Sequence, residues 1–394
     1  MNRPRIGFII QRYGPEVVGG AETLCRAIAR RLAAYWAIEV LTTCAVDHMT
    51  WANVLPAGDD ADERVRVRRF PVDRPRNVRR FNRCNERILM KFHSLEDEQE
   101  WMDLQGPHST ALQTYLAKHA GAYDGFVLFN YLYATTYESL KRVGRQFHLV
   151  PFGHDEPPIY LRLFEETFRS PRGIVFCTDE ERDFIRGRFP FSLPPHEVIG
   201  IGVDLPAGAD GERFRAKFNI CEPFMLYAGR IDESKGCDEL FRAFAAYRAR
   251  AGQSGRALQL VLCGSSQLTI PQRHDIRYVG FVSEQDKSDA MAAARFLILP
   301  SRFESLSIVL LEAWAAGTPV LVNGQCAVSV SQCRRSGGGL WYRNGDEFVA
   351  AADWLARNDG LCACLGRTGR EFVRRFYQWP TIIQRYREFI RFDS

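Results

Sequence analysis

Short apolar strands alternate with amphipathic helices along this chain, and the alternation occurs twice. The first half opens with a predicted strand at 5–10 (RIGFII), a helix at 21–36 (AETLCRAIARRLAAYW) and a strand at 38–44 (IEVLTTC). The second half restarts with a strand at 224–230 (FMLYAGR) and a helix at 237–251 (CDELFRAFAAYRARA). Because parallel strands need crossover connections, this order predicts an α/β fold with two doubly wound parallel sheets.

The length of the chain agrees with two domains. A chain of 394 residues is too long for one ordinary core, and small, polar and proline residues interrupt the pattern between Asp204 and Phe214. We therefore predict one domain over 1–205, a second over 206–375 and a terminal helix over 376–394. The final stretch reads as a helix, a break at Pro380 and another helix.

Composition excludes several classes of protein. With 46% hydrophobic and 25% charged residues the chain is globular, and it has no apolar run long enough to cross a bilayer. Its N-terminal apolar run is only Ile6 to Ile10, without a cleavage site, so we expect a soluble, cytoplasmic protein. The eleven cysteines form no C-x-x-C pair. They are predicted to be reduced and structural.

Basic residues are concentrated in one stretch. Residues 64–91 hold eleven basic residues against Asp73 and Glu86, a net charge of +9. This stretch is a solvated face, a contact with an anionic membrane at the inner membrane face, or a contact with a phosphate-bearing acceptor. It has no nucleic-acid-binding motif and no regular aromatic interleaving, so a nucleic-acid partner is not expected.

Candidate ligand-binding residues follow two strands of the second half. Arg230 and Lys235 lie after the first of these strands, where a doubly wound sheet binds anionic ligands. Glu304 follows a later strand, and Glu312 lies eight residues on, within a predicted helix. Backbone N–H groups at that helix start, at residues 306–308, are suited to a phosphate, and carboxylates accept hydrogen bonds from sugar and ribose hydroxyls.

Together these motifs resemble a known family. The pairing of G-R-x4-K-G at residues 229–236 with P-S-x2-E-S-x6-E-A around Glu304 and Glu312 is similar to the retaining glycosyltransferases of glycosyltransferase family 4, also called group 1. The first half adds G-G-A-E at 19–22, F-G-H-D-E around His154 and I-G-I-G-V-D at 199–204. The resemblance implies a GT-B fold, in which two Rossmann-like domains face each other across a cleft.

The resemblance also implies roles for residues of the second domain, which would bind the nucleotide sugar. Arg230 and Lys235, with Gly229 beside them, would neutralise the departing diphosphate without a metal ion or another cofactor. Glu304 would bind hydroxyls of the transferred sugar, and Glu312 would bind the ribose. The remaining donor-binding residues implied by the resemblance border the base or meet the phosphate: Phe281, Val282, Leu306, Ser307 and Ile308.

The first domain would serve the acceptor side. Gly20 would let the backbone approach the phosphates and the acceptor without a side chain in the way. His154 would lie near the reacting carbon, and the terminal helix would cross back to this domain, anchored by Phe376, Tyr377 and Trp379. The implied partners are a nucleotide-sugar donor and a glycan or lipid-linked acceptor.

Two departures from the family pattern concern the geometry near the donor. Ile201 stands where the family often has an asparagine, and the usual E-G-F-G is replaced by Glu304, Ser305, Leu306 and Ser307.

The function that the resemblance implies is retaining, metal-independent transfer of a hexose. The alternative is a GT-B-like module that binds a nucleotide sugar or a partner without turnover.

Two other signals are weighed against this function. Asp60, Ala61 and Asp62 spell the metal-binding D-x-D signature of another glycosyltransferase fold, but their polar surroundings predict a surface loop. The glycine-rich segment PEVVGGAE lacks G-x-G-x-x-G, which argues against a nicotinamide enzyme.

Overall fold

The computed structural model describes residues 3–17, 19–90, 92–251 and 257–391. The chain divides into two compact units. The first runs through Ile201 and takes in the chain again from Ile382, and the second runs from Gly202 to Thr381. The predicted boundaries at 205/206 and 375/376 fall inside the second unit. There the Val203 N–H donates to the carbonyl of Tyr377 at 2.7 Å, which ties the start of this unit to its end.

The first unit is built on one eight-stranded sheet with strand order β3-β4-β2-β1-β5-β6-β7-β8. Its strands are β1 (Arg5–Ile9), β2 (Ala37–Thr43), β3 (Gly58–Asp62), β4 (Val65–Phe70), β5 (Gly125–Phe129), β6 (Phe147–Val150), β7 (Gly173–Phe176) and β8 (His196–Val198). Its helices are α1 (Gly20–Leu32), α2 (Val78–Met90), α3 (Leu95–Gln105), α4 (Thr110–His119), α5 (Ala134–Val143), α6 (Glu165–Arg169) and α7 (Asp179–Arg188).

The second unit is built on a six-stranded parallel sheet with order β11-β10-β9-β12-β13-β14. Its strands are β9 (Phe224–Ala228), β10 (Gln259–Cys263), β11 (Ile276–Gly280), β12 (Phe296–Leu299), β13 (Val320–Asn323) and β14 (Gly339–Tyr342). Its helices are α8 (Gly211–Phe218), α9 (Cys237–Ala251), α10 (Glu284–Ala293), α11 (Ile308–Ala316), α12 (Ala327–Ser336), α13 (Gly345–Arg357) and α14 (Asp359–Phe376), and α15 (Trp379–Phe389) leads back to the first unit.

The prediction of two doubly wound α/β units is confirmed. Both sheets are covered by helices, so their central strands are buried on both faces and consist of apolar residues. Each unit has its own core: one contains Phe126, Leu128 and Phe164, and the other contains Met225 and Leu260.

The first sheet departs from a purely parallel arrangement at one edge. Strand β3 pairs antiparallel with β4, and it contains the D-x-D sequence. The prediction of a surface loop there is therefore wrong. Asp62 is nearly buried and accepts hydrogen bonds from Arg26 (2.9 Å), Arg30 and Tyr13 (2.9 Å), while Asp60 pairs with Arg69. The two carboxylates hold the strand edge through arginines.

The C-terminal helices differ in detail from the prediction. The break lies at residues 377–378, and Pro380 is in the first turn of α15, where its missing N–H removes no helical hydrogen bond. Tyr377 is buried, Phe376 is exposed, and the Trp379 ring lies so close to Gly202 that a side chain at residue 202 would overlap it.

The rest of α15 packs on the first unit. Arg385 donates to Glu197 at 2.8 Å, and the Tyr386 hydroxyl donates to the Gly200 carbonyl at 3.2 Å. The Phe389 ring meets the His148 ring edge-on, with 5.8 Å between centroids.

The cysteines are free, as predicted, and nine of the eleven are buried. Every helix within the described residues is too short or too polar to span a lipid bilayer.

Acidification is expected to weaken the first unit through His148. Burial, with a smaller contribution from Arg172, lowers the pKa of this imidazole from 6.5 to about 4. The unfolded chain therefore binds a proton that the folded unit excludes, and stability is lost as pH falls from about 6.5 towards 4. Between pH 7 and pH 5 the free energy of unfolding should drop by about 2 kcal/mol through this residue.

Urea unfolding of the wild type and of His148→Phe at both pH values measures this effect. The variant keeps an aromatic ring against Phe389 but cannot titrate, so its pH-dependent loss should be smaller by that amount. Equal losses in the two proteins would contradict the assignment.

Candidate functional site

The second sheet reverses its strand order between β9 and β12. The chain builds β9, β10 and β11 in one direction and then returns to add β12 on the other side of β9. The loops that follow β9 and β12 therefore leave the same edge of the sheet side by side. Ligands of doubly wound sheets bind at such a switch point. Arg230 and Lys235 lie in the first of these loops, and Glu304 lies in the second.

Glycines let these loops come close together. At Gly236 (φ +73°) a Cβ would stand 2.7 Å from the carbonyl oxygen of Pro300, in the other loop. Gly229 has φ +151°, and a Cβ on Gly264, which follows β10, would lie 1.9 Å from its carbonyl oxygen. Side chains at these positions would force the loops apart.

An ion pair joins the two loops. The Lys235 Nζ donates to Oε1 of Glu304 at 2.8 Å, with about a third of the lysine side chain exposed. The structure thus brings together Arg230, Lys235 and Glu304, which the sequence predicts as one cluster.

Asp232 orients both cations of the first loop, and sequence reasoning missed it. Its carboxylate pairs with Arg230 and accepts the Ser234 hydroxyl at 2.7 Å and the Lys235 backbone N–H at 2.9 Å. Burial opposes ionisation of Asp232, but the bonds from Ser234 and Arg230 outweigh it and lower its pKa. The sequence signal was present as R-x-D within GRIDESKG.

The N-terminus of α11 lies directly after Glu304. Ser307 is the residue before the helix, is buried, and makes no side-chain capping bond. Leu306 is buried and Ile308 half-buried. The first backbone N–H groups of a helix have no intrahelical acceptor, so an uncapped start next to basic residues is suited to an anion.

Glu312, on the same helix, pairs with a lysine that the sequence analysis did not consider. Lys287 of α10 lies 2.9 Å from Glu312 and 2.8 Å from Glu284. Burial raises the pKa of Glu312 despite the attraction of Lys287. No motif connects residues 287 and 312, which meet only because α10 and α11 pack together.

Phe281 and Val282 lie between β11 and α10. The Phe281 ring is 74% exposed and Val282 is half-buried. An exposed aromatic ring next to the helix that carries Lys287 offers a surface on which a flat base can stack.

In the first unit, Gly20 is the first residue of α1 rather than part of a loop, and open space surrounds the position of its missing Cβ. Its neighbour Gly19 is crowded: a Cβ there would lie 2.1 Å from the Glu22 carboxylate. That carboxylate is buried and accepts bonds from Gln11 (2.8 Å) and Arg12 (2.5 Å). The missing side chain of Gly19 therefore leaves room for the buried Glu22 carboxylate. The missing side chain of Gly20 leaves open space that a bound ligand could occupy.

His154 lies in the loop after β6. Its Nδ1 is 3.4 Å from the Phe152 carbonyl, and its Nε2 is 3.6 Å from Glu156. Beneath the loop, Glu181 is fully buried and accepts backbone N–H bonds from Gly153 (2.7 Å) and Cys177 (2.6 Å). Burial raises the pKa of Glu181 to about 8. This carboxyl group, which the sequence analysis did not single out, fixes the backbone that presents His154.

The candidate residues thus form separate groups. Gly20 and His154 belong to the first unit, while the cluster of Arg230, Lys235 and Glu304 and the Glu312 pair belong to the second. Nowhere in the described part of the chain do three His, Cys, Asp or Glu side chains come together as potential ligands of a metal ion.

A comparison with protein families matches the unit that holds the basic cluster. Residues 222–358 match the family model described as glycosyl transferases group 1. This match lies within the second unit, which is therefore similar to a group 1 glycosyltransferase domain. A similar relative is the GDP-mannose-dependent alpha-(1-6)-phosphatidylinositol monomannoside mannosyltransferase of Mycobacterium tuberculosis, 28% identical over 237 residues. That match covers 54% of this chain and 60% of the relative, and the chain spans about half the length of the curated relatives it matches.

Solved structures show that the fold is GT-B. Sucrose-phosphate synthase from Thermosynechococcus elongatus aligns with a TM-score of 0.67 at 18% identity, over 97% of each chain. Anabaena HepE, solved with UDP and glucose, aligns with a TM-score of 0.68 at 16% identity, over 97% of this chain and 98% of its own. The GT-B fold thus extends over nearly the whole length of the chain.

The two adjacent glycines of the first unit should respond differently to alanine. Gly19→Ala must displace the buried Glu22 carboxylate, so we expect a loss of about 1–3 kcal/mol in the free energy of unfolding. Gly20→Ala meets open space at a helix start and should leave stability unchanged or raise it by up to about 1 kcal/mol. Thermal unfolding of both variants checks this, and equal destabilisation would contradict the assigned roles.

Proposed function

We propose that the whole chain is a retaining, metal-independent glycosyltransferase of family 4 that transfers a hexose from a nucleotide diphosphate sugar to a glycan or lipid-linked acceptor. The observation that carries the proposal is the cluster of Arg230, Lys235 and Glu304 at the switch point of the second sheet, beside the uncapped start of α11.

The charges of this cluster cancel before a donor binds, since Asp232 pairs with Arg230 and Glu304 pairs with Lys235. A partly exposed ion pair contributes only about 0–1 kcal/mol, whereas a hydrogen bond to a charged group contributes about 1.5–3 kcal/mol. A diphosphate therefore displaces Glu304 from Lys235 at little cost. The freed Glu304 carboxylate then accepts hydrogen bonds from hydroxyls of the donor sugar.

The reaction needs the leaving group to be stabilised. The bond between the sugar anomeric carbon and the diphosphate oxygen breaks, and its electron pair stays on that oxygen. The acceptor oxygen bonds to the anomeric carbon from the same face, and its proton passes to the departing phosphate. Arg230, Lys235 and the α11 N–H groups stabilise the developing negative charge, which is the role of a divalent cation in other transferases.

Residues farther along the second unit hold the nucleoside. Glu312 accepts hydrogen bonds from the ribose hydroxyls, with Lys287 fixing the position of its carboxylate. The exposed Phe281 ring and Val282 border the base. Binding at these remote groups positions the anomeric carbon without participating in the chemistry.

The first unit acts on the acceptor side. Gly20 leaves space for the substrate, and His154, held by the Glu181-supported loop, contacts the donor sugar or guides the acceptor hydroxyl. The acceptor of the mycobacterial relative is named as a phosphatidylinositol monomannoside, which supports a lipid-linked glycan here as well. A cytoplasmic enzyme at the inner membrane face would meet such an acceptor.

Donor turnover tests the proposal without knowledge of the acceptor. A screen of UDP-, GDP-, ADP- and TDP-sugars by thermal shift identifies the donor, since a ligand that binds only the folded state raises the melting temperature. Release of the nucleoside diphosphate is then followed with EDTA present. Arg230→Ala and Lys235→Ala should each lower kcat by about one to three orders of magnitude, which corresponds to about 1.5–4 kcal/mol.

Arg242→Ala is the matched control. Arg242 is an exposed arginine of the same unit whose ion pair among the described residues is with Asp238 on its own helix, and its loss should leave kcat unchanged. Turnover that survives in both cluster variants would overturn the assignment of the leaving-group cations. Donor binding without any release of nucleoside diphosphate would favour the module that binds a nucleotide sugar without turnover.

A further inference from the structure

A cavity of about 260 Å³ lies in the first unit and is lined in part by the basic stretch at 64–91. It is formed where the chain leaves β4, by the start of α2, the end of α3 and the segment before α4. The volume is slightly below the range of about 300–1,000 Å³ for drug-sized ligands, so it suits a small molecule or headgroup. The lining side chains that matter here are Trp51, Arg74, Arg76, Arg80, Glu100 and Asp103.

Arg76 is a half-buried cation without a carboxylate at ion-pair distance in the described part of the chain. Its guanidinium donates only to neutral oxygens of Gln105, at 2.5–3.0 Å, and stacks over the rings of Trp51 (4.9 Å) and Phe81 (4.5 Å). Burial lowers its pKa to about 10. Partial burial of a charge without a counter-ion is destabilising, and an anion in the cavity would relieve that cost.

Two further arginines line the same cavity. Arg74 is exposed and forms no ion pair with any described residue. Arg80 pairs with Glu100 at 3.2 Å, but both side chains are exposed, so this bond exchanges easily. Arg80 also lies in the first turn of α2, which contains no acidic residue. Cations are unfavourable at the positive end of a helix, and an anion bound there would offset the repulsion.

Most other arginines of the stretch at 64–91 either form ion pairs with carboxylates or are exposed to solvent. Arg66 and Arg68 pair with Asp59, Arg69 pairs with Asp60, and Arg87 pairs with Glu100. Lys91, the last residue of the predicted stretch, lies outside the described residues. Arg79 and Arg83 are exposed, carry no ion pair among the described residues, and do not line the cavity.

The cavity also carries hydrogen-bond acceptors. Glu100 and Asp103 stand in the same wall as the arginines. A phosphate alone would be repelled by these carboxylates, whereas a phosphate attached to a ring of hydroxyl groups would satisfy the arginines and the carboxylates together.

This cavity adjoins the acceptor-side residues of the same unit through Tyr133. The Tyr133 ring packs edge-on against Trp51, with 5.2 Å between centroids. Burial raises the pKa of its hydroxyl to about 12; the charges of Glu22 and Glu156 raise it further, and those of Arg12 and Arg76 lower it. Glu22 follows Gly20 on α1, and Glu156 contacts His154. Tyr133 thus contacts Trp51 of the cavity and interacts electrostatically with Glu22 and Glu156.

We propose that this cavity binds the phosphate of a phosphorylated polyol, either free or as a lipid headgroup, and thereby selects the acceptor; this assignment rests on the proposed glycosyl transfer. Arg74, Arg76 and Arg80 bind the phosphate oxygens, and Glu100 and Asp103 accept hydrogen bonds from the polyol hydroxyls.

The affinity of the full chain for myo-inositol 1-phosphate, myo-inositol and inorganic phosphate, measured by calorimetry, tests the proposed site. Flotation with phosphatidylinositol vesicles tests whether the site binds the lipid headgroup. The wild type should bind inositol phosphate more tightly than either fragment. Arg74→Ala/Arg80→Ala should weaken that binding about 10- to 100-fold, since each lost charged contact is worth about a factor of ten. Both residues are exposed, so the variant should keep its melting temperature.

Arg79→Ala/Arg83→Ala is the matched control because it removes the same charge from exposed positions of α2 outside the cavity. It should bind inositol phosphate within about twofold of the wild type. A loss confined to the cavity variant with the soluble ligand supports a free phosphorylated acceptor. The same pattern seen only with vesicles supports a lipid headgroup. Equal losses in the two variants, or none in either, would overturn the proposal.

Failure of glycosyl transfer would be seen separately. If the wild type released no nucleoside diphosphate from any sugar donor but bound inositol phosphate through the cavity, the proposed activity would be contradicted and the binding site supported. If donor turnover occurred but the cavity variant bound inositol phosphate as tightly as the wild type, the binding site would be contradicted and the activity supported.

Discussion

The Lys235–Glu304 ion pair is the contact on which the candidate donor site depends. It connects loops that follow β9 and β12, strands that are adjacent in the sheet but separated in the chain by β10 and β11. The close approach at Gly236 brings the loops within reach of each other. Because the pair is only partly buried, it positions both side chains at low energetic cost and can open when a stronger anion arrives. The same contact thus positions both side chains before a ligand binds and opens when the ligand arrives.

Buried carboxylates fix the backbone around the candidate residues in both units. Glu22 holds the chain after β1 through Gln11 and Arg12, and Glu181 holds the loop that presents His154. Asp232 does the same for the loop after β9. In each case one carboxylate accepts several hydrogen bonds from neighbouring loop residues, which restricts their motion before any ligand binds. Such loops lose little entropy when a ligand binds.

The fold could be predicted from the sequence because its signals are local. Alternating apolar strands and helices fix two doubly wound sheets, and polar residues after strands fall at the carboxyl edge. Arg230, Lys235 and Glu304 were predicted together on that ground. Lys287 was not, because its contact with Glu312 depends on how α10 and α11 pack. The D-x-D segment was placed in a loop because its polar sequence hides an edge strand that arginines stabilise from other elements. Arg76 lies within the basic stretch of the sequence, but only the fold shows that it is half-buried and that no carboxylate of the described residues lies at ion-pair distance from it.

The central claim is that the second unit binds the diphosphate of a nucleotide donor. Calorimetric titration of the wild type with a nucleoside, its monophosphate and its diphosphate measures this most directly, with the base chosen from the donor that binds. Each added charge-assisted contact contributes about 1.5–3 kcal/mol, so the diphosphate should bind at least about tenfold more tightly than the monophosphate. The nucleoside should bind more weakly still. Equal affinities for the three ligands would show that the basic cluster does not contact the phosphates and would contradict the account.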